Sequence, residues 1–127
     1  MSFCTAINCM DGRVQTPVID YLRKRFGVEF VDMITEPGPN LILATDGDKK
    51  GIESIFARGD ISVQKHQSVG IAIVGHHDCA GNPAEKEAQL VHIKKAVGLL
   101  KQRYGHLEVI GLWLDHDFKV HELPETE

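Results

Sequence analysis

The sequence predicts an α/β fold: a single domain, residues 1–127, built on a parallel four-stranded sheet of order 2-1-3-4 with helices on both faces. Short β-branched runs alternate with stretches whose apolar residues recur at three and four positions, the pattern of strands joined by right-handed helical crossovers. The clearest strand, strand three, lies in VGIAIVGHHDCAGN, residues 69–82, where the apolar run 71–74, bounded by Gly70 and Gly75, passes directly into a polar cluster. With 127 residues, 43% hydrophobic and 25% charged, the chain can bury one core and has no room for a second domain of ordinary size.

The elements follow in order. FCTAINC is β-prone and closed by Asp11-Gly12, which gives strand one over residues 3–8. Thr16-Pro17 reads as an N-cap followed by Pro at the first helical position, and Val18, Leu22 and Phe26 carry a helix over 17–26 to Gly27. VEFVDMIT, residues 28–35, is strand two, broken by Glu36-Pro-Gly-Pro-Asn40. Residues 41–44 fit a strand extension or a loop, and one or two short helices are expected between 49 and 67, interrupted near Gly59-Asp60. After strand three, Asn82-Pro83 is a second cap-plus-Pro start, and Leu90, Ile93, Val97, Leu100 and Tyr104 line one face of the clearest helix, stopped by Gly105. VIGLWL, residues 109–114, is strand four, and the charged tail from 115 to 127 is expected to be loose.

Charge and composition narrow the function. The net charge is −4, and no basic cluster stands out beyond Arg23-Lys24-Arg25, a solvated helix face, so no nucleic-acid partner is expected. No apolar run approaches the ~18 residues of a membrane span, and MSFCTAINCMDGR lacks the layout of a signal peptide; the expectation is a cytoplasmic protein with no membrane partner. Three cysteines, an odd number, argue against a disulfide scaffold and leave metal binding or buried thiols.

In the order 2-1-3-4 a topological switch point falls between strands one and three, so residues 9–13 and 76–79 meet in one crevice. Cys9, Asp11 and Arg13 alternate and project to one side, and His76 and Cys79 stand three apart at a strand end. Two thiolates and an imidazole suit Zn²⁺, and three protein ligands are the number that leaves a catalytic zinc one open position. Taken singly, each Cys would be a small buried hydrophobe and His76 a hydrogen-bonded loop histidine. Their joint placement at two neighbouring strand ends outweighs those readings. His77 is read as solvent-facing or behind the ligands, Asp78 as a spacer, Cys4 as structural, and His66, His92, His106, His116 and His121 as surface residues.

Cys9-Met-Asp11-Gly-Arg13 resembles the Cys-x-Asp-x-Arg motif of the β-class carbonic anhydrases, and Gly75-His76-His77-Asp78-Cys79 resembles their Gly-His-x-x-Cys motif. More weakly, Glu36-Pro-Gly-Pro-Asn40 sits where that family has an Asn-Ala-Gly-Asn-like turn, and Ile110-Gly-Leu-Trp113 resembles its last core strand. The resemblance implies zinc on Cys9, His76 and Cys79, a catalytic Asp11–Arg13 pair, reversible hydration of CO₂ to bicarbonate, and a homodimer or higher homo-oligomer. Asp11 would orient the attacking water, Arg13 would hold Asp11 off the metal, and release of that pair would let Asp11 close the fourth position. The chain departs from the family in having Gly12 for Ser and Ala80 for Gly, and it is expected to lack the usual N-terminal helical arm and C-terminal extension. Two alternatives keep the same site: a hydrolase of CS₂ or COS, and a non-catalytic zinc- or bicarbonate-binding protein. A Cys-x5-Arg phosphatase loop is absent, since Gln15 and Glu85 stand six residues after Cys9 and Cys79.

Overall fold

The computed structural model describes residues 1–125. Five strands, β1 (Phe3–Cys9), β2 (Phe30–Glu36), β3 (Gly70–His76), β4 (Glu108–Leu114) and β5 (Val120–Glu122), form one sheet in the order β2-β1-β3-β4-β5. The first four are parallel and have the expected order 2-1-3-4, while β5 runs antiparallel to β4. Side chains alternate between faces along each strand. Cys4, Ala6, Ala72, Val74, Leu112 and Leu114 pack beneath α1 (Gln15–Phe26), with Val18 and Leu22. Ile7, Ile71, Ile73 and Trp113 face the opposite layer, which is built from α2 (Pro39–Ala44), α3 (Lys49–Lys65) and α4 (Lys86–Arg103). No helix among the described residues is long and apolar enough to cross a membrane.

Several local expectations are corrected. Residues 41–44 are helical rather than extended, because Gly38, at φ 62°, turns the chain and Pro39 starts α2. Residues 49–65 form one continuous helix. Gly59 does not interrupt it; a Cβ there would come within 2.7 Å of the Tyr104 hydroxyl, so the glycine admits α4 at close range. Thr16-Pro17 is inside α1, preceded by a 3-10 turn over Gly12–Val14 that Asp11 caps by accepting the Arg13 N–H. Asn82-Pro83 does not begin α4, which starts at Lys86; Asn82 is buried in side-chain hydrogen bonds.

The tail is the largest correction. Over residues 115–122 it folds back as a hairpin on β4, and residues 126 and 127 lie outside the described residues. Asp115 closes the turn by accepting the N–H groups of Asp117 (2.8 Å) and Lys119 (3.1 Å). Glu122 is tied to the helix layer by Arg25 (2.8 Å) and the Tyr21 hydroxyl (2.6 Å). Charge misled the sequence reading here, since these acidic groups are turn acceptors and ion-pair partners.

Candidate metal centre

β1 and β3 end at the switch point, and each delivers one part of the cluster. Cys9 is the last residue of β1 and His76 the last of β3, while Cys79 follows after a tight turn in which Asp78 has φ 57°. All three are buried: Cys9 and Cys79 are 4% exposed and His76 0%. Their donor atoms lie within 4.8 Å of one another. The two sulfurs are 3.8 Å apart, too far for a disulfide. That separation equals the roughly 3.8 Å between two sulfurs each about 2.3 Å from one tetrahedral ion.

His76 adds a sharper constraint. Its Nδ1 is 2.7 Å from the His77 carbonyl oxygen, to which it donates, so the neutral ring presents a lone pair at Nε2. Nε2 is the one buried side-chain nitrogen or oxygen among the described residues without a hydrogen-bond partner. Buried polar atoms rarely stand unpaired, and an orphan nitrogen beside two thiols is a donor set that suits a metal cation. The two thiols are hydrogen-bonded and either can donate; with Cys79 as the donor, the bond lowers the pKa of Cys9 against the effect of burial, and the same bond together with burial raises that of Cys79. Burial opposes charge on His76, but the adjacent Cys9 thiolate and the His77 carbonyl outweigh it and raise its pKa. Cys4 is apart from this group, inside β1, where burial first and Asp32 second push its thiol up to about 12.

Asp11 and Arg13 stand at the edge of the cluster as a bidentate pair. Arg13 Nε donates to Asp11 Oδ1 at 3.0 Å and Nη2 to Oδ2 at 2.7 Å. Those bonds hold the Asp11 carboxyl at about 2. Arg13 also donates to the Asp78 carbonyl at 3.1 Å and lies 3.3 Å from its carboxylate, so Asp78 is a partner of the site rather than a spacer. His77 is exposed, and its backbone fixes His76.

Behind the cluster lies a buried amide network for which the sequence offered little signal. Gln89 donates to the carbonyls of His76 (2.9 Å) and Asn82 (3.1 Å), Asn40 donates to Gln89 (3.2 Å), and Asn82 donates to Asn40 (3.3 Å). Asn82 also bonds His92 at 3.0 Å, which makes that histidine half-buried rather than a surface residue. Gln15 secures the first loop by donating to the carbonyls of Cys9 (2.7 Å) and Asp11 (2.8 Å). The two site loops touch at Gly38 and Gly81, where a Cβ on Gly38 would meet the Gly81 carbonyl carbon at 2.6 Å. The available clue was Gln89 itself, a polar residue four positions before Ile93 on the apolar stripe of α4.

Comparisons with known proteins bear on this arrangement. A family described as "Putative carbonic anhydrase" matches residues 1–124. No curated protein matches the chain. Among solved structures, a β-carbonic anhydrase of Aspergillus fumigatus is similar at 17% identity and TM-score 0.64, with 98% of this chain and 76% of that one covered. One from Sordaria macrospora, reported among tetrameric β-carbonic anhydrases, has 15% identity and TM-score 0.62 over 96% of this chain and 80% of its own. A carbonic anhydrase from Glaciozyma antarctica has 15% identity and TM-score 0.60 over 94% and 80%. At such identities these structures speak for the fold, and the family match speaks for descent: the chain belongs to the carbonic anhydrase family described by that match, and it has the β-carbonic anhydrase fold.

Proposed function

We propose that the chain is a cytoplasmic zinc-dependent lyase that interconverts CO₂ and water with bicarbonate and a proton. Cys9, His76 and Cys79 hold Zn²⁺, Asp11 and Arg13 are the catalytic pair, and residues 1–127 work as one domain within a homodimer or higher homo-oligomer. The observation that carries the proposal is the orphaned Nε2 of His76 facing two buried sulfurs at tetrahedral spacing. Family membership supports the reaction, and the tetrameric relative supports the oligomer.

The residues fit zinc, which when bound supplies a Lewis acid able to make water a nucleophile near neutral pH. Cys9 and Cys79 bring the negative charge that holds a divalent ion, and His76 brings a neutral donor whose ring is fixed by its Nδ1–H. Asp11, ionised well below neutrality, can accept a hydrogen from the reacting water without keeping the proton. Arg13 bonds to both Asp11 oxygens and so sets the plane of the carboxylate. Oδ1 accepts the Arg13 backbone N–H and Nε, and Oδ2 accepts Nη2 at 2.7 Å and a longer branch of Nε at 3.3 Å, so both carboxylate oxygens are held in one plane. Asp11 is too weak a base to retain the released proton, so solvent and buffer carry it away.

Stopped-flow hydration of CO₂ tests this. Zinc-loaded protein is expected to accelerate hydration, chelation to abolish the acceleration, and Asp11→Asn to lower it ~10²-fold. An unaltered hydration rate overturns the activity, and turnover of CS₂ or COS instead of CO₂ overturns the substrate.

A further inference from the structure

We infer that Phe118 is a positioning residue of the site: its ring holds the Arg13 guanidinium in its grip on Asp11 and covers the Cys9–His76–Cys79 group. The covering half rests on the zinc site proposed above, whereas the Arg13 half stands without it.

Two of the ring's neighbours, Arg13 and His76, belong to the site. Its centroid is 4.8 Å from Arg13 Cζ and 6.3 Å from the His76 ring, tilted by 44°. It also packs on the apolar cluster that contains Cys9, Cys79 and Val14. Arg13 is a half-exposed side chain whose donors are spent in its own plane, on Asp11 and Asp78. Those bonds fix the edges of the guanidinium and leave its faces free. An aromatic ring on a face is the contact that a planar cation accepts without giving up a donor.

The backbone supports the same conclusion independently. Phe118 has φ 58°, a conformation that a bulky side chain rarely adopts and that glycine adopts freely. The hairpin imposes it through the Asp115 carboxylate, through the Phe118 N–H donating to the Asp115 carbonyl (2.8 Å), and through the Asp115 N–H donating to the Lys119 carbonyl (3.1 Å). A turn that needed only to reverse the chain would be better served by glycine. A phenylalanine in that strained position is compensated by what its ring touches, and that includes Arg13 and His76.

The test uses the full chain and three variants. Phe118→Gly removes the ring while relieving the backbone, so loss of the fold does not confound it; Phe118→Leu keeps apolar bulk without an aromatic face; Phe118→Tyr keeps both. Two readouts are independent of turnover: the solvent exchange of the Arg13 Nε–H signal in ¹⁵N NMR, and the rate at which a chelator strips bound zinc. The Gly and Leu variants are expected to speed solvent exchange of the Arg13 Nε–H ~10-fold, as its bond to Asp11 loosens. The Gly variant is expected to release zinc ~10-fold faster, with Leu close to the parent and Tyr restoring both signals. An Arg13 Nε–H exchange rate unchanged in Phe118→Gly overturns the Arg13 role, and zinc release that follows melting temperature alone across the set overturns the covering role. A protein that binds no zinc would defeat the proposed function and the covering role with it, and the NMR arm would still decide the Arg13 role.

Discussion

Arg13 combines wide exposure with bonds from all three guanidinium nitrogens, so its worth lies in orientation rather than in stability. Removing it should leave the fold intact and damage the chemistry. Arg13→Ala is expected to keep the parental melting temperature within a few degrees while kcat for CO₂ falls ~10²-fold, and Arg13→Lys is expected to rescue little, because an ammonium cannot match the bidentate geometry. The same pair fixes a pH dependence. The folded pKa of Asp11 is depressed to about 2 from the ordinary 3.8. Its contribution to stability is therefore present above about 3.8 and is lost as pH falls toward 2; Arg13→Ala should move the Asp11 carboxyl titration, followed by ¹³C NMR, upward toward 3.8. The buried amides work differently. Gln89→Leu strips donors from the His76 and Asn82 carbonyls and an acceptor from Asn40, and is expected to cost ~3 kcal/mol in urea denaturation and ~10-fold or more in zinc affinity. Cys9, Asp11, Arg13, His76 and Cys79 were legible because scarce chemical types stood at short, regular spacings. Asn40, Asn82 and Gln89 were not, because they bond across 42 and 49 residues of sequence, and Asn82-Pro83 imitates a helix start.

At the level of elements, strands read well and connections read poorly, for a reason visible in the glycines. Gly59 looked like an interruption of α3, yet it serves close packing against Tyr104, whose hydroxyl donates to Asp60 at 2.6 Å. Gly38 looked like part of a breaker, yet it sets the left-handed turn before α2 and lies against the backbone of Gly81. Gly27 and Gly38 have nearly the same φ, 64° and 62°, but a Cβ on Gly27 meets nothing within 4 Å. Gly27→Ala should thus cost only the backbone term, ~1 kcal/mol, while Gly38→Ala adds a clash with another backbone and should cost more than twice that in chemical denaturation. Equal costs would show that the two loops are free to part. The β4–β5 hairpin escaped the sequence reading because its turn uses Asp115 and Phe118 rather than the Gly-rich pairs that announce a hairpin.

For the whole molecule, the sheet order does the decisive work. Helical crossovers dictate a parallel sheet, and the order 2-1-3-4 places the ends of β1 and β3 side by side, although Cys9 and Cys79 are 70 residues apart in sequence. That long-range step was legible because it depends on topology, whereas β5 and the amide network depend on side-chain detail that periodicity does not encode. As a proposed homo-oligomer, the protein is expected to show a light-scattering mass at a multiple of 14.1 kDa; a mass of one chain at micromolar concentration contradicts it. The most direct check on the centre itself is X-ray absorption at the zinc edge of zinc-loaded protein near neutral pH. Two sulfurs at about 2.3 Å, one nitrogen at about 2.0 Å and one exchangeable light atom are expected, and protein that takes up no zinc, or holds it with fewer than two sulfurs, contradicts the assignment of Cys9, His76 and Cys79.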